Sequence, residues 1–230
     1  MIGGKLWTAR LLADIGPDGE PVARIPIKIT DYPALQNSLG SVQFKFTATI
    51  DLPAPLYYPF TLTRSEDNQF FAVDTRCSHQ GCVVDAYSES QFAMICQCHG
   101  SEYSYRGEVI TGPANFDLQR YATEFDGLDT VTVLLPGLNM KINSIQVQSN
   151  TTSAVRVRLD FPAIVGGRYR IQFREDLNNA PLDAPFSATP TGAANLTQIL
   201  GTGAIQTVYV DAEQPRGFFA VALVVDEFSF

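Results

Sequence analysis

The chain has 230 residues and a formal net charge of −8 at neutral pH. This length allows one large or two small domains, and the negative charge argues against nucleic acid, whose phosphates would repel the protein. The sequence contains no apolar run of about 18 residues or more, so it predicts no membrane span. The N-terminal segment also lacks the apolar core of a secretory signal.

The first part of the chain predicts short strands. Residues 1–23 have weak periodicity and a GPDGEP turn, and we interpret them as an N-terminal arm. Alternating apolar and polar residues then predict strands in RIPIKI and SVQFKFTATI, on either side of a turn with helical character. A hairpin is predicted to lead to Cys77, and further strands follow in QFAMIC and GLDTVTVLLP. We expect an all-β domain over residues 24–136.

The composition changes after residue 136. Lysine becomes rare, and segments such as AVRVRLDF, RYRIQF and GFFAVALVV recur between turn residues. The regular alternation in Val155–Phe161 is typical of a strand with one buried face. We therefore predict a small β-sandwich-like accessory domain over residues 137–230, without a chemical site of its own.

All four cysteines and both histidines of the chain lie in two short boxes. The first box contains Cys77 and His79, and the second contains Cys96 and His99. A zinc site is one alternative, since zinc takes cysteine and histidine in fours, but its ligand pairs usually have the spacing C-x₂₋₄-C. Two plain disulfides are another alternative, although they would leave the paired histidines unexplained.

The two boxes, CSHQGC and CQCHGSEYS, resemble the signature of the Rieske iron–sulfur proteins. The resemblance implies a Rieske fold of stacked antiparallel sheets, with two loops that hold a 2Fe–2S cluster. Cys77 and Cys96 would bind one iron, and His79 and His99 the other. Neutral imidazoles lower the negative charge around the irons, which places the potential at roughly −150 to +300 mV. In the high-potential branch of the family, the two remaining cysteines form a disulfide between the loops, which implies a bridge here of Cys82 with Cys98.

The resemblance also implies roles for residues after the second box. Ser101 would donate its hydroxyl to a bridging sulfide, and Tyr103 would donate to the sulfur of Cys77. Such donors stabilise the added electron and raise the reduction potential. A third loop would cover the cluster through Gly112, Pro113 and Ala114.

These features predict a one-electron carrier that serves a cytochrome or another redox protein within a respiratory or oxidoreductase complex. The complex would be either a quinol-oxidising cytochrome bc-type assembly or a molybdenum oxidoreductase with this chain as its small subunit. Gln80 departs from the leucine that is typical of the quinol-oxidising proteins. A Rieske oxygenase is not expected, because its mononuclear iron needs two further histidines. A surface or adhesion module with a secondary cluster is the alternative from another class.

A disulfide would require an oxidising compartment, so we expect an extracytoplasmic protein, in the periplasm or on a membrane facing it. We also expect an export signal or a membrane anchor to have preceded Met1.

Overall fold

The structure, a computed structural model, describes residues 8–11, 22–46, 59–136, 142–150, 155–176, 179, 181–213 and 216–228. The chain folds into two compact units. The cysteine unit comprises residues 25–135 and 225–230, and the accessory unit comprises residues 1–24 and 136–224. Within the described ranges there is no α-helix, and the prediction of an all-β protein is confirmed.

In the part of the chain that the structure describes, the regular elements are eighteen strands and two short 3₁₀ helices. The helices η1 and η2 cover Ile29–Asp31 and Pro33–Gln36, in the segment predicted to have helical character. The strands are, in chain order, β1 Thr8–Leu11, β2 Val22–Lys28, β3 Ser41–Phe46, β4 Phe60–Arg64, β5 Phe70–Val73, β6 Met94–Cys96, β7 Ser101–Tyr103, β8 Val109–Thr111, β9 Arg120–Phe125, β10 Thr130–Pro136, β11 Ser144–Asn150, β12 Val155–Pro162, β13 Arg168–Arg174, β14 Leu182–Asp183, β15 Phe186–Ser187, β16 Ile199–Leu200, β17 Ile205–Ala212 and β18 Arg216–Phe228.

The cysteine unit contains a large sheet and a small one. The large sheet has the order β3-β4-β5-β9-β10-β2, and its neighbours from β3 to β10 are antiparallel. The predicted hairpin is its β4–β5 pair, whose turn contains Asn68 at φ 62°. The small sheet has the order β6-β7-β8 and carries the second cysteine box. The predicted strand QFAMIC is shorter than expected, because Phe92 has a φ of 53° and turns the chain before Met94.

Two apolar clusters stabilise the cysteine unit. In the first, Phe44 and Phe60 are fully buried with ring centroids 5.0 Å apart. The second lies beneath the cysteine boxes and consists of Val73, Cys77, Val84, Met94, Cys96, Tyr103, Ala114 and Leu118. A buried polar contact ties this second cluster to the large sheet, since the Gln43 side-chain amide donates to the Val84 carbonyl at 2.8 Å.

The accessory unit is built from two sheets. One has the order β11-β12-β17-β15, and the other has β13 between β14 and β18, with β16 also beside β13. Rings from both sheets meet in its core, where Phe161 and Tyr169 have centroids 5.5 Å apart. The strand β1, within the segment interpreted as an arm, pairs in parallel with β18. The rest of residues 1–21 lies outside the described ranges.

The last strand continues beyond the accessory unit. Val225–Phe228 pair with Gln43–Phe46 of β3, which assigns the end of the chain to the cysteine unit. The sequence-based division, which was drawn where the composition changes, assigned residues 137–230 to one domain.

The strand β12 shows one departure from simple alternation. Its apolar residues are buried, as predicted, but Asp160 is also only 8% exposed. Its carboxylate accepts hydrogen bonds from the Thr207 hydroxyl at 2.6 Å, from Arg158 Nε at 3.0 Å and from the Ser144 hydroxyl. Burial alone would raise the pKa of Asp160, but these three donors outweigh it and hold the pKa below its usual value.

We expect Asp160→Asn to lower the free energy of unfolding of the accessory unit by roughly 1–3 kcal/mol, because the introduced amide NH₂ would face existing donors. The native pKa is depressed, so the contribution of Asp160 is present above the unfolded-state value of about 3.9 and is lost as the pH falls through the native value. Urea unfolding followed by circular dichroism, from neutral pH into the acid range, would measure both effects.

Asp183→Asn is the matched control for this prediction. Asp183 pairs with Arg170 at 3.1 Å at the surface, so its loss should cost less than about 1 kcal/mol. Equal costs for the two variants would contradict the assigned role of Asp160.

Candidate metal centre

The two cysteine boxes fold into matching turns. In the first, the Gly81 N–H donates to the Cys77 carbonyl at 2.8 Å, and in the second the Gly100 N–H donates to the Cys96 carbonyl at 2.9 Å. The glycines have φ values of 76° and 77°, in the left-handed region that side chains with a Cβ disfavour. Each turn places one cysteine sulfur at its base and one histidine ring on its outer side.

The sulfur atoms of Cys77 and Cys96 lie in the apolar cluster beneath the turns. Both cysteines are buried and unbridged. Burial alone would raise the pKa of Cys77, but hydrogen bonds from the Tyr103 hydroxyl and the His79 backbone outweigh it and lower this pKa. Burial and the neighbouring Cys77 both raise the pKa of Cys96. The hydrogen bonds therefore favour the thiolate form of Cys77, which lies beside a second buried sulfur, that of Cys96.

The rings of His79 and His99 are in edge-to-face contact. Their centroids are 4.8 Å apart and their planes are perpendicular. The Nδ1 atom of His79 is buried and has no hydrogen-bond partner among the described residues. A buried nitrogen without a partner is costly, and imidazole nitrogen is the commonest metal ligand among side chains.

A disulfide joins Cys82 to Cys98 and ties the two turns together, with a Cα–Cα distance of 6.5 Å. The Sγ atoms of Cys82, Cys96 and Cys98 lie within 4.8 Å of one another. Two of these three sulfurs are consumed by the disulfide, so this group is not a metal site. A second link between the loops is the hydrogen bond from the Gln97 amide to Asp85 Oδ2 at 2.6 Å.

The hydroxyls predicted as donors lie at the cysteine sulfurs. Tyr103 is fully buried, and its oxygen is 3.2 Å from the Cys77 Sγ. Ser101 is also buried, and a hydrogen bond from it helps to lower the pKa of Cys77. The Ala114 N–H donates to the Ser101 oxygen at 3.0 Å, which leaves the Ser101 proton available to an acceptor at the centre.

The predicted covering loop packs against the buried cluster. Its Gly112–Pro113 peptide bond is cis, and its Ala114 side chain belongs to the buried cluster. The covering loop continues to Phe116, whose carbonyl accepts a hydrogen bond from the Ser78 hydroxyl. Sequence reasoning missed Ser78 and Phe116, since only the position of Ser78 between two candidate ligands could have drawn attention to it.

The loops that carry the histidines and the predicted covering loop contain no charged residue. The segments 77–82, 96–101 and 112–116 contain no Asp, Glu, Lys or Arg, although the whole chain has a net charge of −8. Phe116 is 74% exposed, and both Gln80 and His99 are exposed. This rim can contact an apolar or neutral surface without desolvating a charged group.

These residues fit a two-iron cluster with mixed ligands. Two unbridged sulfurs lie together in an apolar site, and two imidazoles lie side by side above them. A tetrahedral zinc ion would use the same four side chains.

Comparisons with known proteins agree with this chemistry. The profile of the Rieske [2Fe-2S] domain matches residues 48–122. The cytochrome b6-f complex iron-sulfur subunit of Pisum sativum chloroplasts is 44% identical over 48 residues, which are 21% of this chain and 20% of that protein. The corresponding subunit of Synechococcus elongatus is 41% identical over 56 residues, which are 24% of this chain and 31% of that protein.

A solved structure is also similar. The plasma membrane Rieske protein PetC3 from Synechocystis PCC 6803 is 35% identical, and the match covers 32% of this chain and 74% of that chain, with a TM-score of 0.30. The chain spans no more than about a third of the length of the two b6-f subunits. The matches identify the cofactor as a Rieske-type 2Fe–2S cluster.

We expect Cys82→Ser/Cys98→Ser to lower the free energy of unfolding by about 3 kcal/mol, because the bridge closes a loop with a sequence separation of 16 residues. Urea unfolding of the cluster-loaded protein would measure this loss. Gln97→Ala is the control, since it removes only a single exposed hydrogen bond between the same loops and should cost about 1 kcal/mol or less.

Alkylation checks the bridge directly. After denaturation and removal of the cluster, thiol labelling should modify only Cys77 and Cys96 before reduction, and all four cysteines after it. Labelling of all four before reduction would contradict the disulfide.

Proposed function

We propose that this chain, which belongs to the Rieske [2Fe–2S] family through residues 48–122, transfers single electrons from a quinol-oxidising complex to a cytochrome-type acceptor. Cys77 and Cys96 would hold one iron of the cluster, and His79 and His99 the other. The bound cluster supplies a reversible one-electron couple of high potential.

The observation that carries the ligand assignment is the unpartnered, buried Nδ1 of His79 beside the ring of His99. Both cysteines that would complete the set are free of disulfides and buried. Every cysteine and histidine of the chain then has a role, either as a ligand or in the Cys82–Cys98 bridge.

The protein's own residues separate an apolar side of the centre from an accessible one. Burial around the sulfurs excludes water, and the Tyr103 and Ser101 hydroxyls supply fixed donors toward charge that builds up on reduction. His99 is exposed, which offers a partner a short path to the centre.

Three observations support an extracytoplasmic quinol-oxidising complex as the setting. Two of the similar proteins are named as subunits of the cytochrome b6-f complex. The Cys82–Cys98 disulfide requires an oxidising compartment. The uncharged rim with Phe116 suits an apolar docking surface. Gln80, in place of the family's leucine, is exposed and would be a polar contact at that surface.

None of the described features favours the molybdenum oxidoreductase or the adhesion module over this setting. A Rieske oxygenase would need two further histidines, and the chain has only two. Within the part of the chain that the structure describes, no helix has the length and apolar character to span a bilayer. The accessory unit is proposed as a packing or docking module.

We expect His99→Ala and Cys77→Ala to abolish the Rieske spectrum, because each removes a proposed ligand. The measurements are iron and acid-labile sulfide content, together with visible and electron paramagnetic resonance spectra of the dithionite-reduced protein. Gln80→Ala is the matched control, since Gln80 is an exposed residue of the first turn and should leave the spectrum intact. Stoichiometric zinc without acid-labile sulfide in the unaltered protein would contradict the assignment of a 2Fe–2S cluster.

We expect Tyr103→Phe and Ser101→Ala to lower the reduction potential while the cluster remains bound. Each variant removes a donor to an atom that gains negative charge on reduction, and one such bond is worth about 1.5–3 kcal/mol, or roughly several tens of millivolts or more. A redox titration measures the shift. Unchanged potentials in both variants would remove the donor assignment.

Isolation of the chain from its native membranes tests the proposed complex. Co-purification with b-type haem, and oxidation of a quinol that depends on this chain, would support it. Co-purification with molybdenum and without haem would instead support the alternative oxidoreductase. A chain that reduces no cytochrome and isolates with neither group would contradict both settings.

A further inference from the structure

The Tyr103 hydroxyl contacts two acceptor atoms on neighbouring residues. Its oxygen is 3.2 Å from the Cys77 Sγ and 3.1 Å from the Ser78 Oγ. The Ser78 N–H also donates to it at 3.2 Å. All these groups are held in place, because Tyr103 is fully buried and Ser78 is clamped to the covering loop.

Counting protons decides the direction of each bond. The Ser78 hydroxyl donates its only proton to the Phe116 carbonyl, because a carbonyl can only accept. The contact between Ser78 and Tyr103 therefore requires Tyr103 to donate. A cysteine sulfur that binds iron has no proton either, so its contact also requires Tyr103 to donate. A single phenolic proton thus has two competing acceptors.

We infer that Ser78 is a positioning residue that draws the Tyr103 proton away from the Cys77 sulfur and so sets the reduction potential below the value that Tyr103 alone would give. This inference rests on the proposed ligand role of Cys77. The Phe116 carbonyl contributes to this effect. It accepts the hydrogen bond of the Ser78 hydroxyl, so the Ser78 oxygen can only act as an acceptor toward Tyr103.

The consequence for the potential follows from the charge on the sulfur. Reduction adds negative charge to the cluster and its ligands, so a full hydrogen bond to the Cys77 sulfur favours the reduced state. Removal of the Ser78 oxygen would leave the sulfur as the sole acceptor of the Tyr103 proton in this group. The Ser78 N–H bond to Tyr103 belongs to the backbone and would persist in an alanine variant.

The test is a redox titration of the cluster-loaded full chain and its variants. Ser78→Ala should raise the potential, whereas Tyr103→Phe should lower it. Ser78→Thr retains a hydroxyl and should match the potential of the unaltered protein. Ser78→Val has the shape of threonine without its hydroxyl and should raise the potential as Ser78→Ala does. In a Tyr103→Phe background, Ser78→Ala should cause no further shift. Ser88→Ala is the control, because its hydroxyl contacts Ser90 in the loop between the boxes.

Each outcome decides the question. A lowered or unchanged potential in Ser78→Ala, or an equal rise in the Tyr103→Phe background, would overturn the inference. Failure of Ser78→Ala and Ser78→Val to take up the cluster, with Ser78→Thr intact, would also overturn it in favour of a purely structural hydroxyl. An unaltered protein without a Rieske spectrum would instead overturn the proposed function, which keeps the two failures distinguishable.

Discussion

The candidate centre depends on the bridge between its two turns. Each turn by itself is a short glycine-closed loop whose histidine lies near the surface, and such loops have little core to fix them. The Cys82–Cys98 disulfide and the Gln97–Asp85 hydrogen bond hold the turns opposite each other. The two histidine rings lie 4.8 Å apart across this bridge. Preorganisation of this kind reduces the conformational entropy that would otherwise oppose assembly of the site.

The environment of the centre changes sharply from one side to the other. The cysteine sulfurs and Tyr103 lie in an apolar cluster, where burial strengthens every hydrogen bond to them. His99 and Phe116 are exposed. The hydroxyl donors Tyr103 and Ser101 are therefore shielded from water. The loops at the accessible side contain no charged residue that a partner would have to desolvate. The Ser78 hydroxyl lies between the two environments, since it contacts both Tyr103 and the covering loop.

The accessory unit has its own core, and its sequence contains no cysteine or histidine. Its strand β12 combines a fully apolar face with a buried carboxylate that three donors satisfy. The network fixes the neighbouring strands through polar contacts that an apolar residue could not make. All the cysteines and histidines of the proposed centre therefore belong to the cysteine unit.

The sequence by itself determined the chemistry and most of the strands. The ligand types are visible in the two boxes because coordination needs specific atoms at short spacing, and alternation revealed β12 because burial of one sheet face has a period of two. Three features were decided only by the tertiary structure. Residues 225–228 of β18 pair with β3, which no local pattern records. Asp160 is buried because donors from other segments meet it. Ser78 meets the Phe116 carbonyl across 38 positions of sequence. Each of these depends on contacts between distant segments, whereas a periodic pattern reports only how a residue's own segment faces the core.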